Sequence, residues 1–162
     1  MKQSQVVLLV AAVTALQPVA RLQRAPVRMA ASDVLASDRI LIAPALATSN
    51  VAKLGEEAQA AVAAGADCLH FNVMDGHHTE KLTWGPMMVK ALRAYGVEAP
   101  IDVQLTCGKE IVDVQIEEFA AAGASYITFH AEGTRNIDRS LGLIASLGCK
   151  CGVRHLCGNQ PV

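Results

Sequence analysis

From residue 39 onward the chain alternates between two spacings of apolar residues. RILIAPAL (39–46) is a short apolar run ending at Pro44 and predicts a strand, while VAKLGEEAQAAVAAGA (51–66) returns Leu54, Ala58, Ala61 and Val62 to one helical face. The couplet recurs as DCLHFNVM (67–74) before PMMVKALRAY (86–95), PIDVQLT (100–106) before EIVDVQIEEFAAAG (110–123), and SYITFHAE (125–132) before NIDRSLGLIASLG (136–148). CKCGV (149–153) then opens a fifth strand. Gly65, Gly96, Gly123 and Gly148 each follow an amphipathic run, where a left-handed residue ends a helix at little cost. Repeated strand-helix units of roughly 25 to 30 residues predict parallel strands, in a doubly wound sheet or a (β/α)8 barrel.

The first 32 residues have a different character. After Lys2, VVLLVAAVTAL is an apolar run of signal-peptide length, too short to span a bilayer comfortably. QPVARLQRAPVRMAAS follows; it is Ala-rich, bears arginines and lacks acids. A signal-like run before a transit-like run resembles the two-part presequence of proteins sent to complex plastids. Residues 1–32 are therefore expected to be a targeting presequence, with a plastid (chloroplast) as destination and a mitochondrion as second choice.

Composition narrows the rest. With 52% hydrophobic and 18% charged residues in 162, the chain is expected to fold as one globular domain. All the charges of the leading segment (Lys2, Arg21, Arg24, Arg28) are basic, which leaves ten basic against fifteen acidic side chains beyond it. A body of that sign excludes general nucleic-acid binding, which needs clustered cations. Five cysteines without regular spacing form neither a disulfide framework nor a zinc ribbon, and read as small buried thiols near strand ends. Neither a G-x-G-x-x-G after the first strand nor a Walker loop is present.

In either architecture function gathers at the carboxyl ends of the strands. Those positions hold Ala45 and Thr48; His70, Asn72, Met74, Asp75 and His77; Gln104 and Thr106; and His130 and Glu132. Alternation puts His70, Asn72 and Met74 on one strand face and Phe71 and Val73 on the other. A polar face of that kind suits either a site or a hydrogen-bonded core histidine.

LIAPALATSN, GADCLHFNVMDGHHTEKLTWGP, APIDVQLT, AGASYITFHAEGT and SLGCKCGV run collinear with the ribulose-phosphate 3-epimerase family, and the chain resembles it from Ile40 to Val153. The resemblance implies a (β/α)8 TIM barrel that interconverts D-ribulose 5-phosphate and D-xylulose 5-phosphate, a reaction of the Calvin cycle and the pentose phosphate pathway. It further implies a divalent metal (Zn, Fe, Mn or Co) held by two histidines and two aspartates, the aspartates doubling as proton shuttles. That chemistry removes a proton beside a carbonyl and returns one from the opposite face through an enediolate, so it needs two acid/base groups and a Lewis acid.

Residue by residue, the resemblance places His70 at the first metal-histidine position and Met74 at a pocket methionine. Asn72 stands at the first catalytic aspartate, where an amide can neither act as a base nor ligate a metal strongly. Gln104 stands at the second metal histidine, Ala45 at a substrate-contacting serine and Thr106 at a second pocket methionine. Of the implied metal set His70, Asn72 and Gln104, only His70 is a retained ligand. The resemblance therefore implies a partial barrel over residues 33–153, five strands of eight, followed by an unrelated tail over 154–162. Open edges at its first and last strands would need another protein chain to cover them. Two functions follow as expectations: an epimerase of pentose 5-phosphates with impaired catalysis, or an inactive barrel fragment that acts as a binding or structural subunit in a plastid complex.

The lesser signals read structurally. Adjacent His77 and His78 make a poor metal pair, and the resemblance has a hydrophobic residue at the second position. His130 reads as a strand-end histidine supporting the pocket, Asp75 with Gly76 as a loop former, and Asp102 as an ordinary residue nearer the barrel bottom. Trp84-Gly85-Pro86 reads as core and helix cap.

Overall fold

A computed structural model describes residues 40–155. The expected presequence, residues 156–162 of the expected tail, and Cys157 lie outside the described residues. Four strands, β1 (Leu69–Met74), β2 (Ile101–Thr106), β3 (Tyr126–His130) and β4 (Lys150–Arg154), form one parallel sheet in sequence order. Helices α1 (Leu54–Ala63), α2 (Pro86–Ala94), α3 (Val112–Ala122) and α4 (Ile137–Ser146) alternate with them. Among the described residues no helix is long and apolar enough to cross a membrane.

The expected strand over 39–46 is not a continuous ladder. Its described part hydrogen-bonds beside β1, where Asp67 N–H donates to the Ile42 carbonyl at 2.8 Å and His70 N–H to the Pro44 carbonyl at 2.9 Å. Pro44 has no N–H to return, so pairing is reduced to isolated bridges such as Ala45 with His70. β4, by contrast, runs one residue past the expected end, and Arg154 pairs with His130.

Register sorts the side chains. Leu69, Phe71 and Val73 face the helices with Ile101, Val103, Leu105, Ile127 and Phe129, and pack with Val89, Leu92, Ile116, Phe119 and Ile144 into one core. Pairing of His70 with Asp102, Asn72 with Gln104 and Met74 with Thr106 puts the polar residues together on the opposite face. Trp84 packs edge-on against Phe71, with centroids 6.0 Å apart, and Gly85 and Pro86 open α2 as cap and first residue.

One guanidinium closes two helix ends. Arg93, near the end of α2, donates from Nη1 to the Val97 and Ala99 carbonyls (2.7 Å each) and from Nε and Nη2 to the Gly123 carbonyl (3.1 and 2.8 Å). Gly123 follows α3 at φ 103°, and a Cβ there would stand 3.1 Å from Arg93 Cγ, so both conformation and space call for glycine. Burial lowers the affinity of this guanidinium for its proton, and its carbonyl acceptors offset that cost.

Asp75 ties the loop after β1 to the loop after β2. Its Oδ1 accepts from the His77 and His78 N–H groups at 2.9 Å, and its Oδ2 accepts from Gly108 N–H at 2.7 Å. Burial pushes this carboxyl up, but the backbone donors of Gly108, His78 and His77 outweigh it and hold it below its ordinary range. The expected loop-forming role is what the structure displays.

Replacing Arg93 with Met, which keeps the stem and removes the donors, is expected to cost on the order of 3 kcal/mol in urea unfolding; a change below about 0.5 kcal/mol would show that the clamp is incidental. A carboxyl with a depressed folded pKa contributes stability that is present above its unfolded pKa and lost as pH falls through the folded one. The gap in urea midpoint between the protein and Asp75→Asn should thus be widest near neutrality and narrow in acid, and a gap that ignores pH would count against the backbone nest.

Candidate functional site

The polar face carries two groups of side chains, joined by Gln104. In the first, Asp102 Oδ2 lies 2.7 Å from His70 Nδ1, and both residues are buried. Asp102 accepts the Nδ1 proton, which leaves the Nε2 lone pair facing the site; Nε2 is itself buried without a hydrogen-bond partner. Asp102 therefore orients His70, a role beyond its expected place as a family residue nearer the barrel bottom. The parallel register makes the two neighbours.

Around this pair stand the other expected pocket residues. Ala45 is buried and bridged to His70, Asn72 is half-buried next to Gln104, and Met74 is half-buried next to Thr106. Thr83 Oγ1 donates to the Asn72 carbonyl at 2.8 Å and accepts from Met74 N–H at 2.9 Å, which fixes the loop 75–82 over the strand end.

Gln104, 7% exposed, is committed on both sides of its amide. Its Oε1 accepts from Arg154 Nη1, and its Nε2 lies 3.2 Å from His130 Nε2 and 3.4 Å from Thr106 Oγ1. These contacts bear on the divalent ion that the resemblance implies. The single atom of Gln104 able to ligate a cation is already bonded to a guanidinium, whose positive charge opposes a second cation beside it. Asn72 contributes a neutral amide. His70 presents a free imidazole lone pair and Asn72 a weak neutral oxygen, a pair without any anionic ligand, so the described residues at this position do not fit the implied metal.

The second group lies on the other side of Gln104. His78, His130 and Glu132 offer ligand atoms that all lie within 4.8 Å of one another. His78 Nε2 and His130 Nδ1 are buried without hydrogen-bond partners, the two rings are 5.6 Å apart, and His130 Nδ1 stands 3.5 Å from Glu132 Oε1. Burial pushes the His130 imidazole below its ordinary range; Glu132 raises it, while His78 and Arg154 act with burial. His130 thus does more than brace the pocket. The adjacent pair His77 and His78 is split, as expected of neighbours, but His78 finds a partner from β3 instead.

The described cysteines belong to neither group. Burial, helped by Asp102 and Asp67, pushes the Cys68 thiol up to about 12, and burial with Asp75 does the same to Cys107. Cys149 is raised by burial alone, and its Sγ donates to the Ala124 carbonyl. These three match the expected buried thiols, whereas Cys151, on the last strand of the described sheet, is exposed.

Comparison with known proteins now identifies the scaffold. A family model described as the Ribulose-phosphate 3 epimerase family matches residues 41–157. The chain is 52% identical over 113 residues to a ribulose-phosphate 3-epimerase of Escherichia coli (strain K12), covering 70% of this chain and 49% of that one. It is 48% identical over 115 residues to the ribulose-phosphate 3-epimerase of Serratia marcescens, covering 71% and 54%. The chain thus spans about half the length of the curated relatives it matches. Among solved structures, a mandelate oxidase mutant with the monooxide FMN adduct superposes with TM-score 0.52 at 16% identity, covering 93% of this chain and 57% of that one, a likeness of fold alone. The order of strands and helices is that of part of a TIM barrel, and the chain belongs to the ribulose-phosphate 3-epimerase family.

Proposed function

We propose that this family member is silent as an epimerase and acts as a binding or structural subunit, with a plastid as its destination. The observation that carries this reading is the contact of Arg154 with the side-chain oxygen of Gln104, which sets a guanidinium against the residue at the second metal-histidine position. Asn72 supports it independently. Epimerisation next to a carbonyl needs a base on each face of the substrate, and an amide supplies none near neutral pH. Exposed apolar side chains support the subunit role: among the described residues, Ile40 and Ile42 are 69% and 45% exposed beside β1. Apolar side chains held in water favour association with another chain. The composition of residues 1–32 is what supports the plastid.

A second reading, a metal-assisted epimerase acting on D-ribulose 5-phosphate, draws on the His70–Asp102 pair, the arrangement that orients metal-binding histidines elsewhere. Turnover separates the two. The purified protein, given D-ribulose 5-phosphate and each of Zn²⁺, Fe²⁺, Mn²⁺ and Co²⁺ in turn, is expected to form no D-xylulose 5-phosphate above the uncatalysed rate; formation abolished by a chelator would establish the second reading instead. The triple variant Asn72→Asp, Gln104→His, Arg154→Met should acquire micromolar affinity for a divalent ion at His70, seen as an ion whose binding is lost again on adding His70→Asn. Light scattering of the unmodified protein should report a mass above that of one chain, and a strictly monomeric protein would remove the subunit role.

A further inference from the structure

The group formed by His78, His130 and Glu132 shares no residue with the metal positions that the family resemblance implies on this chain, His70, Asn72 and Gln104. Three features mark it as built. His130 is 4% exposed and turns its Nδ1 into the group, toward Glu132 Oε1. A second imidazole nitrogen, His78 Nε2, is buried there without a hydrogen-bond partner, which is costly unless something occupies the space beside it. The spacing is that of coordination: ligand atoms about 2.0 to 2.2 Å from a tetrahedral Zn²⁺ stand roughly 3.3 to 3.5 Å apart, and His130 Nδ1 is 3.5 Å from Glu132 Oε1. One ligand atom from each of the three residues lies within 4.8 Å of the other two. His78 sits in the loop between β1 and α2, so a shift of about an ångström closes the set without disturbing the sheet.

We propose that His78 Nε2, His130 Nδ1 and Glu132 bind one Zn²⁺ ion, in a three-ligand site with its fourth position open. The ligand set, two histidines and a carboxylate, is one that zinc accepts in open sites. Loading has a defined consequence for Gln104. A metal on His130 Nδ1 leaves the ring proton on Nε2, which then needs an acceptor where the Gln104 amide nitrogen now stands at 3.2 Å. Turning the Gln104 amide over supplies its carbonyl oxygen to His130 and takes that oxygen away from Arg154. Zinc binding and the Arg154–Gln104 contact are therefore mutually exclusive. Nothing in this site depends on whether the chain is an epimerase.

The test is a zinc titration of the whole chain, stripped with a chelator, in competition with a chromophoric zinc indicator, together with Co²⁺ absorption spectra. One equivalent of Zn²⁺ is expected, with intense visible Co²⁺ bands typical of low coordination number. His78→Ala and Glu132→Gln should each weaken binding at least tenfold and abolish those bands, with thermal unfolding showing that both variants fold. His70→Asn should leave binding intact, and Arg154→Met should tighten it roughly tenfold, the usual scale of an outer-shell effect. Failure to bind Zn²⁺, binding that survives His78→Ala, or binding lost in His70→Asn would each overturn the site. Unchanged or weaker affinity in Arg154→Met would overturn the exclusion.

Discussion

Side chains on a parallel sheet alternate strictly between its two faces, and this constraint sorts the chain into an apolar layer and a polar one. Because the strands are paired in fixed register, every second residue of β1, β2, β3 and β4 meets its neighbours in rows. Rows through Phe71 and Val73 build the core against the helices. Rows through His70, Gln104 and His130 build the site. A slip of one residue in any strand would exchange the two layers, so the apolar core and the polar face define each other.

On the polar face, one amide decides what the site can hold. Gln104 lies between Arg154 and His130 and divides its two ends between them. With its oxygen turned to Arg154, it closes the position at which the family resemblance implies a metal ligand, and His70 stands ready but alone. With its oxygen turned to His130, it completes the outer shell of a different group. The departures at Asn72 and Gln104 stand side by side on β1 and β2, and Arg154 of β4 reaches the second of them.

Much of the fold was legible because helix and strand periods are carried by apolar residues with few competing signals. The four helices and β1 to β4 fall within three residues of the spans that Leu, Val and Ile spacing predicts. The run 39–46 departs from expectation because Pro44 removes a ladder donor from an otherwise strand-like stretch. In the site, His70, Asn72 and Gln104 were legible as strand-end polar residues. Their partners were less so: Asp102 looked like a residue of the barrel floor, and Arg154 lay past the last recognisable motif. Both belong to the polar rows by parity alone, but parity speaks only once the register is known. The grouping of His78 with Glu132 depends on the path of a loop, which no periodicity encodes.

The proposed silence as an epimerase turns on Asn72, whose amide is not a base, and on Arg154, whose guanidinium holds the Gln104 oxygen. Exchange of the C3 hydrogen of D-ribulose 5-phosphate with solvent in D₂O, followed by proton NMR with Zn²⁺ or Mn²⁺ present, tests that claim at its first step and is blind to product release. The account predicts a C3 signal that persists at the uncatalysed rate. A signal that disappears in the presence of the protein, and is preserved when a chelator is added, would contradict it.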